Sequence, residues 1–290
     1  MKKISYLGPK NTYSEQATRM LAQRMKTETE LIGLPSLEAV AKSVSLKDAD
    51  MGVMAYYNYL EGLVQESLDI IYENNLEIKA MQRLPIILSI GCHKENTNKT
   101  EVYSHQKALA QCSEWLWTNL KDSNRVPAIN TAAAAEKVRE TRSGLAIAST
   151  EALRERGLQI IAEDIGNKKN NRRNFTDFYL VARENNQQFE QTKRYLTMVA
   201  ITPNIDKQGL LADILNQVAY HGLNNAKIHS RPALHDPGKC DFEPQMFYLE
   251  IISHKKDKHF LKCIDSLKYK LTPKNRDVEV VRVLGSYEKP

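Results

Sequence analysis

Residues 126–155 read VPAINTAAAAEKVRETRSGLAIASTEALRE, and the alternation in this stretch decides the fold. A strand at 126–129 runs into a helix over Ala132–Val138, and a strand at 145–148 runs into a helix over 149–155. Strands alternating with helices build an open, largely parallel α/β sheet. The pattern extends toward the N-terminus. Strand 3–7 (KISYL) precedes a turn at Gly8-Pro9-Lys10-Asn11 and a helix from Thr12, where Ala17, Met20, Leu21 and Met25 recur at helical spacing. A strand at 30–33, a helix at 36–46 and a strand at 51–55 ending in Tyr56-Tyr57-Asn58 follow. A helix over 62–73, strands near 76–82 and 86–91, and Glu101-Val102-Tyr103 leading into a helix from Gln106 complete the series. Asn174–Ala182 (NFTDFYLVA) is a strand by its β-branched and aromatic content.

Residues 183–194 (RENNQQFEQTKR) are polar and aperiodic and mark a domain boundary. Beyond them the pattern gives strand 195–202, helix 207–220, strands 224–231 and 245–252, helix 255–269 and strand 278–284. That is βαββαβ, the ferredoxin-like order. The expected organisation is an α/β domain over 1–182, a linker over 183–194 and an α+β module over 195–290.

Composition narrows the function. The 290 residues are 42% hydrophobic and 26% charged, and no apolar run reaches membrane-spanning length. The start, MKKISYLGPKNTYSEQA, lacks the apolar core of a signal peptide, so a cytoplasmic location is expected. Cys92, Cys112, Cys240 and Cys263 are widely spaced and read as reduced thiols, not metal ligands or disulfides. The net charge is +6, and the pairs Lys168-Lys169, Arg172-Arg173 and Lys255-Lys256 fall in loops and polar helix faces. No basic groove with interleaved aromatics emerges, so neither nucleic acid nor membrane is an expected partner. The mild positive charge suits an anionic small molecule.

Anions bind at helix N-termini and strand C-termini of such sheets, where unpaired N–H groups point outward. Thr12 and Ser14, Asn58, Ser104-His105 and Asn130-Thr131 occupy such places. Each also suits an ordinary helix cap. Thr176 shares a strand face with Asn174 and Phe178, while Asp177 points the other way.

Four motifs resemble those of the prephenate dehydratases. Gly8-Pro9-Lys10-Asn11-Thr12-Tyr13-Ser14 is similar to their opening GPxGT[FY]S, and Ser104-His105 with Gln111-Cys112 to SHPQ…QC. Asn130-Thr131-Ala132-Ala133-Ala134 resembles their small-residue helix start, and Asn174-Phe175-Thr176-Asp177-Phe178 their NxTRF. The C-terminal module is similar to an ACT domain, with Ser230-Arg231-Pro232 in place of ESRP and Val283-Leu284-Gly285-Ser286-Tyr287 at its end. The resemblance implies two α/β lobes, like those of periplasmic binding proteins, around a cleft for prephenate, then a regulatory ACT domain. It also implies a homodimer or homotetramer, with no cofactor and no metal.

The departures lie at polar positions. The family's Pro-[Ile/Val]-Glu-Asn is Ala55-Tyr56-Tyr57-Asn58, its motif glycine is Asn11, SHPQ is Ser104-His105-Gln106-Lys107, and TRF is Thr176-Asp177-Phe178. A dehydratase must protonate the departing ring hydroxyl, whereas a non-aromatising decarboxylase must leave it in place and protonate a ring carbon. Loss of the acid at 57 and of the cation at 177 favours prephenate decarboxylation, of the kind that feeds secondary metabolites or non-proteinogenic amino acids. The alternatives are a prephenate dehydratase making phenylpyruvate for phenylalanine synthesis, and a non-catalytic protein that binds an aromatic precursor.

On this reading Thr176, Tyr57 and His105 are the catalytic candidates. Thr12, Ser14, Asn58, Ser104, Asn130, Thr131, Asn174 and Phe178 are the substrate contacts. Asp177 is expected to pair with Arg172 or Arg173, and Trp115 and Trp117 to fill a lobe core. Gly209, Leu210, Ser230 and Arg231 mark the regulatory positions. There Leu210 replaces a small residue and His229 replaces the ESRP glutamate, so phenylalanine control is expected to be weak.

Overall fold

The computed structural model describes residues 1–289 except 26, 97, 167–173, 185–188, 191, 204–207, 234–244 and 273–278. The chain divides into two compact units. One comprises Met1–Val40, Val53–Val64 and Gln82–Phe178; the other comprises Ala41–Gly52, Gln65–Met81 and Tyr179–Pro290.

The elements begin with β1 (Lys2–Leu7), α1 (Tyr13–Gln23), β2 (Thr29–Leu34), α2 (Leu37–Ser45), β3 (Met51–Asn58) and β4 (Gly62–Leu63). Next come α3 (Gln65–Glu73), β5 (Glu77–Pro85), β6 (Leu88–Cys92), β7 (Glu101–His105), α4 (Gln106–Gln111) and α5 (Ser113–Asn119). Then follow β8 (Asn124–Ala128), α6 (Thr131–Thr141), β9 (Leu145–Ser149), α7 (Thr150–Glu155), β10 (Gln159–Ala162) and β11 (Phe175–Ala182). The last are β12 (Tyr195–Ile201), α8 (Leu210–Tyr220), β13 (Asn225–Pro232), β14 (Gln245–Ile251), α9 (Lys258–Leu271) and β15 (Val281–Glu288).

One sheet has the order β2-β1-β3-β11-β5, with β4 paired to β3, and a second has the order β10-β6-β9-β7-β8. The expectation of a largely parallel sheet needs correcting. In the second sheet β7 is parallel to both β8 and β9, but β6 is antiparallel to β9 and to β10. Strand β10 was not expected from the sequence. Its exposed–half-buried alternation is that of a short edge strand.

The deciding stretch folds as expected. Asn130 caps α6 by accepting the Ala133 N–H at 2.7 Å. Its buried residues Ala132, Ala134, Ala135 and Val138 are small enough to seat the helix close on β7 and β9. All five residues of β9 are buried, as in a strand covered on both faces. The helix expected over 62–73 instead begins at Gln65, because Gly62-Leu63 pair with Tyr57 and Asn58 as β4.

Helix α5 corrects a second expectation. Trp115 packs on the β6–β9 core, but Trp117 is 63% exposed with the Lys121 ammonium over its ring. Adjacent helical positions lie about 100° apart, and Leu116 takes the inward one.

The C-terminal sheet runs β13-β14-β12-β15, and each neighbouring pair is antiparallel. Helices α8 and α9 cover one face, placing Ile214, Val218, Phe260, Cys263, Ile264 and Leu267 on Val199, Ile201, Leu249 and Ile251. This is the ferredoxin-like arrangement. Helix α8 begins at Leu210 and α9 at Lys258, each three residues later than expected. In the same unit Asp69 of α3 binds Tyr248 of β14 at 2.9 Å and Arg231 of β13 at 2.6 Å. Lys255 pairs with Glu77 at 2.6 Å. No helix of the described residues is long and apolar enough to cross a membrane.

Candidate active site

The first unit carries a polar ring built from the end of β3, the start of β11 and helix α4. The Asn58 carboxamide orders it. Its Oδ1 accepts the backbone N–H groups of Leu60 and Glu61, both at 2.9 Å. Its Nδ2 donates to Asn174 Oδ1 at 2.9 Å and to Thr176 Oγ1 at 3.0 Å. Asn174 Nδ2 in turn donates to Gln111 Oε1 at 3.3 Å, and Gln111 Nε2 donates to the Glu61 carboxylate. Each amide is thereby fixed in orientation by its neighbours. The ring closes through the Glu61 N–H back onto Asn58.

The ring fixes the role of the Thr176 oxygen toward Asn58. Thr176 Oγ1 accepts from Asn58, so its own hydrogen is not spent on that amide. Thr176 is 7% exposed, on the side of β11 that also presents Asn174. Asn174 and Gln111 line a cavity of about 260 Å³, with Leu60, Ile86 and Ile87 as apolar wall. This combination of apolar wall and oriented polar groups is typical of a small-molecule site. Lys107 stands 3.1 Å from the Glu61 carboxylate and adds a cation beside the ring.

The other candidates divide by what they hold. Thr12 caps α1 by accepting the Glu15 N–H at 3.3 Å, and its hydroxyl donates to Pro9 O at 3.1 Å. Asn11 adopts φ +68, the left-handed conformation that glycine and asparagine tolerate best, which accounts for asparagine at the glycine position. Ser14 and Thr131 are half-buried in the first turns of α1 and α6. His105 Nδ1 accepts the Lys107 N–H at 3.3 Å and so caps α4.

Ser104, expected as a substrate contact, has its hydroxyl engaged within the sheet. It is fully buried and donates to Ile147 O at 2.7 Å, so its hydroxyl ties β7 to β9. Phe178 is likewise buried, at 2% exposure. Tyr57 packs its ring edge-to-face on Tyr59, with centroids 5.4 Å apart. The burial of Tyr13, whose hydroxyl donates to Ile87 O at 2.6 Å, pushes its pKa up. Burial likewise pushes the Cys112 thiol up to about 12, where it is inert as a nucleophile.

Asp177 is engaged by a neighbouring strand. Arg83 of β5 binds its carboxylate, with Nε–Oδ1 2.8 Å and Nη2–Oδ2 3.1 Å, and Tyr59 OH donates to Oδ2 at 3.2 Å. Arg172 and Arg173 lie outside the described residues, as do Lys168, Lys169 and Cys240. Arg83, Tyr59, Glu61, Lys107 and Gln111 were not singled out from the sequence as site residues. The spacing of Glu61 three residues beyond Asn58 was the one local signal. Arg83 gave none, because β5 meets β11 only through long-range pairing.

In the C-terminal module Gly209 precedes α8 at φ +78, and Leu210 packs against the helix–sheet core. Ser230 is exposed, while Arg231 is engaged with Asp69.

Two α/β sheets presenting an oriented amide ring to a small cavity, followed by a ferredoxin-like module, define a class of small-molecule α/β proteins. The family profile of prephenate dehydratase matches residues 4–186, and the chain belongs to that family. It is 30% identical to a bifunctional chorismate mutase/prephenate dehydratase of Aquifex aeolicus, over 99% of this chain and 74% of that one. Identity to a prephenate dehydratase of Amycolatopsis methanolica is 27%, over 99% and 88%. The crystal structure of a prephenate dehydratase from Arthrobacter aurescens in complex with L-Phe superposes with a TM-score of 0.82 at 26% identity, covering 99% of this chain and 90% of that one.

Proposed function

We propose that this protein is a prephenate dehydratase. The observation that carries the reading is the Asn58–Thr176 hydrogen bond, which leaves the Thr176 hydroxyl as a donor. In the reaction the bond from the ring to its carboxylate breaks, and its electron pair enters the ring as CO2 leaves. The carbon–oxygen bond at the para hydroxyl breaks in concert, the departing oxygen takes a proton, and phenylpyruvate and water result. A hydroxyl donor aimed at that oxygen stabilises the charge that develops on it. The electrons stay within the substrate, so the transformation requires no redox partner.

The charges missing from the family motifs have counterparts beside the ring. Glu61 supplies a carboxylate beside the ring where the motif acid at 57 has become tyrosine, and Lys107 supplies a cation beside it where the motif cation at 177 has become aspartate. These replacements, with the names of the relatives, favour dehydration over the decarboxylation expected from the motif departures alone. That second reading retains one observation in its favour: Tyr57 stands where the motif acid belongs, and it packs on Tyr59.

Residues 195–290 we propose to be an ACT domain. The Arthrobacter aurescens relative was crystallised with L-Phe; here Leu210 packed against the core and Arg231 bound to Asp69 argue for weak phenylalanine control. Incubating the purified protein with prephenate tests the main reading. Appearance of phenylpyruvate supports it, a hydroxylated non-aromatic keto acid supports the second, and absence of turnover refutes both.

A further inference from the structure

We propose that Asp177, Arg83 and Tyr59 form a positioning device that sets the aim of the Thr176 hydroxyl. The inference rests on the reading of Thr176 as the working donor. Thr176 and Asp177 are consecutive on β11 and face opposite ways, and Asn58 and Tyr59 are consecutive at the end of β3. On one face Asn58 grips Thr176 and Asn174; on the other Tyr59 meets Asp177 at 3.2 Å. Between them the Tyr59 N–H donates to Phe175 O at 2.9 Å. Arg83 locks the second face. Its guanidinium takes both Asp177 oxygens, bonds the Tyr59 hydroxyl, and lies 4.7 Å over the Tyr59 ring.

The carboxylate of Asp177 is wholly buried, where a bidentate guanidinium contact stabilises its charge strongly. Removing either charge breaks the bidentate contact and loosens the Tyr59 side of the turn. The turn carrying Asn58 then shifts against β11, and the Asn58–Thr176 geometry loosens. The anion that replaces the motif cation at 177 is thus half of an ion pair with the neighbouring strand. It lies behind the hydroxyl, so Asp177 and Arg83 are positioning residues that need not touch substrate.

The test uses Asp177→Asn, Arg83→Gln and the exchanged pair Arg83→Asp/Asp177→Arg in the full chain. Each single variant is expected to lower kcat on prephenate about 10–100-fold while KM moves less than about threefold, as for a misplacement of an ångström or less. The exchanged pair is expected to recover kcat to within about tenfold of wild type, since it restores opposite charges at the same two sites. Folded single variants with wild-type kcat would overturn the proposal, as would a loss confined to thermal stability.

Amide hydrogen exchange at Leu60 and Glu61, whose N–H groups bind Asn58 Oδ1, reads the same effect without turnover. Faster exchange there in Asp177→Asn supports the proposal; unchanged exchange refutes it. Should wild type fail to consume prephenate, the dehydratase reading falls while this measurement still decides the positioning role.

Discussion

The Asn58 carboxamide lies between Asn174 and Thr176, donating to the first at 2.9 Å and to the second at 3.0 Å. Because its oxygen is occupied by the N–H groups of Leu60 and Glu61, the amide cannot flip without facing two donors with a donor. The donor that Thr176 Oγ1 faces is therefore held in place by the backbone of a turn.

Thr176→Ala removes the donor and is expected to lower kcat by about 10²–10³-fold, while Thr176→Ser retains most activity. Steady-state kinetics with prephenate check this. Equal loss in the two variants would show that the methyl group, not the hydroxyl, matters.

Asn58→Asp is nearly isosteric but reverses the ring. A carboxylate accepts only, so Thr176 would turn its hydrogen onto residue 58 and away from the substrate. Activity is expected to fall about 100-fold or more. The chain should remain folded by circular dichroism, which separates this loss from global unfolding.

Two histidines make stability depend on acidity. His254, almost fully buried, stacks on Phe189 with centroids 4.6 Å apart and accepts the Lys256 N–H on Nδ1. Burial, followed by the charges of Lys256 and Lys255, lowers its pKa; burial, followed by Lys227, lowers that of His229. The folded state thus resists protonation that the unfolded state accepts from about pH 6.5 downward. Stability is full above that pH and declines as pH falls below it toward the folded-state values. Urea unfolding at pH 7.5 and pH 5.5 is expected to show the lower midpoint at pH 5.5.

Gly285 holds the bulge where β15 loses register with β12, at φ +130. A Cβ there would overlap the backbone of Ile78, which no side-chain rotation relieves. Gly285→Ala is expected to destabilise the chain by more than about 2 kcal/mol, measurable as a drop in Tm.

Much of the fold was legible because its signals are local. The caps at Thr12 and Asn130, the alanines of α6 and the alternating elements of 195–290 each speak within one element. What failed was long-range. Nothing in NFTDFYLVA reveals that β5 neighbours β11, so the contact between Arg83 and Asp177 is invisible in the sequence. Ser104 sits beside a helix start, as a ligand-binding serine would, and only the neighbouring strand β9 shows where its hydroxyl goes. The motif departures at 57 and 177 read as lost charges, because Glu61 and Lys107 become neighbours of the ring only when β3 and α4 are brought together.

The most direct test of the central claim follows the oxygen of the ring hydroxyl. Prephenate labelled there with ¹⁸O is incubated with the purified protein, and the product and solvent water are examined by mass spectrometry. The dehydratase account expects the label in water and unlabelled phenylpyruvate lighter than prephenate by CO2 and H2O. A product lighter by CO2 alone, with the label still on its ring, would contradict it.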